Sequence, residues 1–321
     1  MKRINVGIIG KNFGLKVIYN AIKNNKSFNV IAFSFRKNLK DNSLPKNIKI
    51  YKDWKKLVSD KKIDTIVISS PPKTHSDIIK FAIKRKKNIF CEKPVTTSFK
   101  EISEISKILK KKTIIHMVNY EFPNIEAFTL FKRKYLKSIN IKKINVDWFI
   151  KIKKNKRANW KDSHNFGGGV FFNYICHVLY YLENLFGQLT IVDTKLIKDK
   201  RNFLSKFNFL IKKKKIKILF NFKIINNNKT KPFHRIKIYS NKGIYILQTK
   251  MTTLHDQFYL KKNNKIVFSP DKINYDFRLK PTYINLMKFK NYILKKRIAN
   301  PNFNKALRVH YLINKLKSLN K

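Results

Sequence analysis

Short apolar runs alternate with stretches of helical spacing through the first 120 residues. Residues 4–9, 28–35, 64–70, 88–91 and 113–118 read as strands, mostly apolar as strands buried on both faces are. Between them, 13–24 places Val17, Ile18, Ala21 and Ile22 on one helical side. Asp53 stands as an N-cap before Trp54 and Leu57, 76–84 is helical, and 98–109 opens with Ser98 and Glu101 at capping-box spacing. Strand–helix alternation of this kind predicts an α/β fold, with a doubly wound parallel Rossmann sheet over residues 1–120.

The period changes after Tyr120. Residues 141–152 alternate apolar and polar, as a half-buried strand does, and 170–186 is an apolar, aromatic-rich helix ended by Gly187. Strand-like runs follow at 190–196, 207–211, 216–222, 234–239 and 244–248, then helices at 283–296 and 304–319. The pattern predicts a C-terminal α+β domain over 121–321, built on an open, mostly antiparallel sheet that serves substrate binding and oligomerisation. Such a sheet is expected to expose a broad apolar face, which favours a homo-oligomer.

Composition narrows the class. A chain of 321 residues is long enough for two cores. No apolar run approaches the roughly 18 residues of a membrane helix, and the run after Met1-Lys2-Arg3 stops at Lys11, too early for a signal peptide. With only Cys91 and Cys176, and neither at zinc spacing with a histidine, the expectation is reduced thiols in a cytoplasmic protein with no metal site. The net charge of +55 alone points to nucleic acid or an anionic membrane. The lysines are scattered over nearly every segment, however, together with abundant Asn and Ile, the signature of AT-rich coding. A dedicated nucleic-acid footprint is confined to one face, so neither a nucleic-acid nor a membrane partner is expected.

Four positions carry candidate chemistry. The turn Gly7, Gly10, Asn12, Phe13 and Gly14 lies where the first strand meets the first helix, and glycines there let backbone N–H groups approach a pyrophosphate. Asn12 fills the central glycine slot, and asparagine is the non-glycine residue that best tolerates positive φ. An ordinary tight turn has the same appearance. At the end of the second strand the acid that usually holds an NAD ribose is missing, and Ser34, Arg36 and Lys37 suit a 2′-phosphate instead, although two cations mean little in so basic a chain. Lys93 follows Glu92 at a strand's C-terminal end, where open α/β sheets bind ligands. Asn173 and His177, one turn apart after Gly167-Gly168-Gly169, can bond a hydroxyl and take its proton; a buried core histidine is the plain alternative.

The ordered set resembles the Gfo/Idh/MocA family (glucose-fructose oxidoreductase, inositol dehydrogenase, rhizopine catabolism). The resemblance covers nearly the whole chain: Val6-Gly7-Ile8-Ile9-Gly10, then Asp64 through Ser70-Pro71-Pro72 with His75, Glu92-Lys93-Pro94, Met117 through Pro123, and the glycine triplet with His177. It implies NAD or NADP as cofactor, held by the glycine turn, by Ser34, Arg36 and Lys37, by Ser70, Pro71, Pro72 and His75, and by Glu92 and Lys93. It further implies hydride transfer at a secondary alcohol or ketone of a sugar, sugar derivative, nucleotide sugar or inositol-like substrate, with Lys93, Asn173 and His177 at one reaction centre. Many relatives carry aspartate where Asn173 stands, and asparagine keeps the shape without the charge. That departure, with Asn12, leaves a second reading open: a catalytically weak protein of this fold that binds dinucleotide or sugar phosphate as a sensor or partner.

Overall fold

The computed structural model describes residues 3–35, 44–151, 168–198, 203–211, 215–225 and 230–319, with backbone only over 195–198 and 203–211. Strand β1 (Ile4–Ile9) leads into a helical segment that is π-helical over Gly14–Tyr19 and becomes α1 (Asn20–Ile22). Then come β2 (Phe28–Ser34), β3 (Lys49–Tyr51), α2 (Trp54–Ser59), β4 (Thr65–Ile68), α3 (His75–Lys84), β5 (Asn88–Cys91), α4 (Phe99–Leu109) and β6 (His116–Val118). All pairings are parallel, in the order β3-β2-β1-β4-β5-β6. That order is the Rossmann arrangement, with its switch point between β1 and β4. Local signals hold as read: the Asp53 carboxylate accepts from Lys55 N–H, and Ser98 and Glu101 form a reciprocal capping box on α4.

The rest of the chain builds α5 (Glu126–Leu130), β7 (Ile141–Ile150), α6 (Cys176–Phe186), β8 (Leu189–Lys198), β9 (Phe203–Ile211), β10 (Ile216–Ile224), β11 (Phe233–Ser240), β12 (Gly243–Thr249), β13 (Tyr259–Lys262), β14 (Lys265–Phe268), α7 (Leu279–Leu294) and α8 (Phe303–Ser318). Strands β7–β14 form one sheet in the order β14-β13-β12-β11-β7-β10-β9-β8, antiparallel except for β7 with β10. Ile144, Val146 and Trp148 of β7 are buried while their neighbours in sequence are partly exposed, the period-two pattern of a sheet with one core face. Among the described side chains the opposite face is mixed, where the sequence leads one to expect a broad apolar surface. There Asp147 accepts from Arg235 and Asn221, each at 2.8 Å, beside the Phe149–Phe233 ring pair.

Two compact units result, and each is discontinuous in sequence: Met1–Glu121, Ala158–His177 and Leu279–Tyr311 form one, and Phe122–Arg157, Val178–Arg278 and Leu312–Lys321 the other. In the first, Leu286 and Phe289 of α7 join the sheet core with Phe33, Val67 and Phe90, and the Phe289 ring lies 5.5 Å from that of Phe90. Among the described residues no helix is long and apolar enough to cross a membrane.

The second unit centres on rings. Phe122 and Phe128 pack with Tyr181, His234 and Phe258, and His234 stacks on Trp148, its cross-strand neighbour, at 4.2 Å. Tyr181 Oη and His234 Nε2 are 3.0 Å apart, and burial holds the imidazole pKa down to about 3 from an ordinary 6.5. The native ring therefore stays neutral where the unfolded one charges, so stability is complete above pH 6.5 and falls as the pH drops toward 3. At pH 4.5 the loss from this one group is about 2–3 kcal/mol. Urea midpoints are expected to fall between pH 7 and 4.5, and to fall less in His234→Phe; an equal fall in both proteins would contradict this reading.

Candidate active site

The turn after β1 is shaped by close approach to β4. Gly10 has φ +120°, its N–H donates to Ser34 O at 3.0 Å, and a Cβ there would stand 2.5 Å from the Ser69 carbonyl carbon and oxygen. A Cβ on Gly14 would meet Ser69 Oγ at 2.5 Å. Gly7 lies inside β1, where a Cβ would run into Leu57 and Ile63. Asn12 departs from the expectation. It is exposed in the first helical turn and is absent from the positive-φ residues, so the left-handed backbone falls at Gly10 and Asn12 needs no special tolerance. Phe13 beside it is helical and partly buried. Gly10 and Gly14 thus let the turn pack closely on Ser69 and Ser70, which sets a helix start at the C-terminal end of a parallel strand, a position that fits a dinucleotide pyrophosphate.

The neighbouring strand ends complete this edge. Ser34 is buried at the end of β2, and Arg36 and Lys37 lie outside the described residues. After β4, Ser70 Oγ pairs with Thr74 Oγ1 at 2.7 Å, while Pro71 is exposed and Pro72 buried. Buried His75 bridges two loops, with Nε2 2.8 Å from Ser70 O and Nδ1 3.0 Å from Pro94 O. Burial pushes its pKa to about 4 against the pull of those carbonyls. The neutral ring has one N–H and so donates to one of these carbonyls at a time, and with Cys91 Sγ 3.6 Å from Nδ1 it packs between the loops that carry Ser70 and Lys93.

Lys93 lies two residues beyond the end of β5. Its Nζ donates to the main-chain oxygen of Asn173 at 3.0 Å, so the contact does not depend on the Asn173 side chain. Gly169, at φ +75°, and buried Gly168 precede this segment, which is π-helical over Phe171–Ile175; Gly167 lies outside the described residues. His177 is buried in the following turn. Between Asn173 and His177 sits Cys176, whose Sγ donates to Phe172 O at 2.9 Å; burial raises this thiol to about 11 although the nearby Lys93 charge lowers it. The structure thus brings Lys93 to the helical segment that carries Asn173 and His177.

A buried polar network beneath Glu92 escaped the sequence reading. Glu92 Oε1 accepts from Asn119 Nδ2 at 2.6 Å, and the same Nδ2 donates to Thr282 Oγ1 at 3.1 Å. Asn285 Nδ2 donates to Asn119 Oδ1 at 2.9 Å and to Tyr120 O at 3.2 Å, and Thr282 Oγ1 donates to Glu121 Oε1 at 3.4 Å. Glu92 and Glu121 are the buried acids among the described residues. Asn119 and Glu121 stand in the stretch from Met117 to Pro123 that carried the resemblance, but nothing in the sequence paired them with residues over 160 positions away.

Residues 4–120 match a family model described as oxidoreductase family, NAD-binding Rossmann fold, and residues 139–270 match that family's C-terminal alpha/beta domain. An oxidoreductase of Synechocystis sp. is 26% identical over 191 residues, 57% of this chain and 52% of the relative. A levoglucosan dehydrogenase of Pseudarthrobacter phenanthrenivorans is 27% identical over 152 residues, 45% of this chain and 38% of the relative. The chain thus spans about half or less of the length of these curated relatives. A levoglucosan dehydrogenase solved with NADH and levoglucosan superimposes with a TM-score of 0.79 over 99% of this chain and 97% of that one, at 15% identity, a likeness of fold. The two matched models together cover most of the sequence, and the chain belongs to the Gfo/Idh/MocA oxidoreductase family, with an N-terminal NAD-binding Rossmann domain.

Proposed function

We propose that the protein is an NAD(P)-dependent oxidoreductase that transfers a hydride to or from a secondary alcohol or ketone carbon of a sugar, sugar derivative, nucleotide sugar or inositol-like substrate. The observation that carries this reading is Lys93. It stands at the C-terminal end of β5, next to β4 in the parallel sheet, and its ammonium reaches the segment bearing Asn173 and His177. The levoglucosan dehydrogenase relative supports the sugar-like substrate class.

Gly10, Asn12, Phe13 and Gly14 would hold the pyrophosphate, Ser70, Pro71 and Pro72 would flank it, and Glu92 and Lys93 would border the nicotinamide. When bound, the dinucleotide supplies the hydride donor or acceptor. Lys93 Nζ donates a proton to the substrate oxygen in reduction and takes it back in oxidation. The Asn173 main-chain oxygen keeps the ammonium in place, its side-chain amide bonds a substrate hydroxyl, and His177 is the alternative carrier of that proton. A homo-oligomer and a cytoplasmic location belong to the same reading; Cys91 and Cys176, both free and buried, suit a reducing compartment.

NADP(H) is expected to bind about tenfold or more tightly than NAD(H), because a charge-assisted bond to a 2′-phosphate contributes roughly 1.5–3 kcal/mol. With Ser34 buried, that contact falls to Arg36 and Lys37. Titrations at one fixed salt concentration check this, since so basic a chain attracts any extra phosphate; equal affinities would reverse the assignment. The function itself is tested by following nicotinamide absorbance with a panel of sugars, nucleotide sugars and inositols. Turnover of at least one polyol or keto-sugar is expected, and dinucleotide binding with no turnover across the panel would favour the sensor reading.

A further inference from the structure

We propose that Asn285, Thr282 and Asn119 are positioning residues for Lys93, acting through Glu92. The inference deepens the reading above, and it starts from the direction of each hydrogen bond. The Tyr120 main-chain oxygen can only accept, so Asn285 must turn its Nδ2 toward it. The other hydrogen of that Nδ2 then faces Asn119 and requires the Asn119 carbonyl oxygen there. The Asn119 amide is thereby oriented, and both hydrogens of its Nδ2 point away from Asn285, one to Thr282 Oγ1 and one to Glu92 Oε1. Thr282 Oγ1 accepts this bond and passes its own hydrogen to Glu121. A fixed carbonyl on the main chain thus sets, three bonds away, which atom meets the Glu92 carboxylate.

The same residues hold the backbone. Asn119 N–H donates to Cys91 O at 2.8 Å and Glu92 N–H to Ile68 O at 2.8 Å, so the Cys91–Glu92 peptide group, one residue before Lys93, is tied to both neighbouring strand ends. A buried carboxylate tolerates few alternatives to good donors. If Asn119 turned over, its oxygen would face the Glu92 carboxylate, and Glu92 would have to move, carrying the Lys93 backbone with it. Thr282 and Asn285 lie three positions apart on α7 and share one helical face, so α7 acts as the anchor of this device.

The test reads Lys93 itself. Native protein, Asn285→Leu, Thr282→Val and Thr282→Ser are treated with an amine-acylating reagent without dinucleotide, and modification of single lysines is followed by mass spectrometry. Lys290 on α7 and Lys80 on α3 serve as internal references. Either variant frees Asn119 to turn, and the bond then lost is the one from Asn119 to the Glu92 carboxylate; loss of a hydrogen bond to a charged group corresponds to about a tenfold change in equilibrium, so Lys93 is expected to label about tenfold faster in Asn285→Leu and Thr282→Val. Lys290 and Lys80 are expected to stay at native rates, and Thr282→Ser to restore the native Lys93 rate. Native Lys93 labelling in both variants, or a rise shared by Lys290 and Lys80 in Thr282→Val, would overturn the proposal. Because the readout needs neither dinucleotide nor substrate, failure of the proposed function leaves this result standing, and the reverse holds too.

Discussion

Replacing Lys93 by methionine is expected to lower turnover by about 10²-fold or more, the lower end of a general acid–base contribution. In free energy that is about 2.7 kcal/mol of lost transition-state stabilisation. Methionine keeps an unbranched stem of similar length and removes the ammonium, so packing changes little while the proton and the bond to Asn173 O are lost. The effect is expected on kcat, since proton transfer belongs to the chemical step and the proposed pyrophosphate site lies apart from it, at Gly10 and Gly14. Dinucleotide affinity is therefore expected to stay near native. Steady-state kinetics on whichever sugar or polyol the native chain turns over, beside a dinucleotide titration, separates the two quantities. A Lys93→Met enzyme with native turnover would move the proton role to His177.

The second large effect is expected at Gly10. A left-handed φ on a β-branched residue costs about 1–3 kcal/mol, and forcing atoms into packed surroundings costs a similar amount. In Gly10→Val the new Cβ would meet backbone, the Ser69 carbonyl at 2.5 Å and Ser70 N at 2.6 Å, and backbone cannot rotate aside. A loss of about 3 kcal/mol or more is expected, seen as a lower urea midpoint, together with loss of dinucleotide binding. Gly14→Ala is the milder control, because the atoms nearest its Cβ are the Ser69 hydroxyl at 2.5 Å and Ile8 Cγ2 at 3.0 Å, both on side chains. Equal midpoints for native and Gly10→Val proteins would contradict this account of the turn.

What the sequence disclosed was what is local. The strand at 88–91 and the capping box at Ser98 and Glu101 are written in neighbouring residues and could be read directly. The short strand β3 was missed because only Ile50 and Tyr51 mark it, and Ile50 is exposed. The strands β13 and β14 are hidden in the sequence because Lys261, Lys262 and Lys265 interrupt their apolar pattern. The sequence also reads as a helix at 283–296, within α7, without saying what it packs against; its place in the core with Phe33 and Phe90 is a tertiary fact. The site divides in the same way. Lys93 at a strand end was legible, whereas its contact with a main-chain oxygen 80 residues away has no side-chain signature. Asn12 was misjudged because the glycine spacing showed a tight turn but not which residue would take the positive φ.

The most direct test of the central claim, that the strand ends around Gly10 and Lys93 hold a nicotinamide dinucleotide for redox chemistry, is a calorimetric titration of NADPH and NADH into native and Lys93→Met protein at one moderate salt concentration. Saturable binding is expected in both proteins, with NADPH the tighter ligand, and retained at higher salt because the glycine edge contributes backbone contacts beyond the general attraction of a +55 chain. Absence of saturable binding for both dinucleotides, or binding that vanishes as salt rises and shows no defined stoichiometry, would contradict the account.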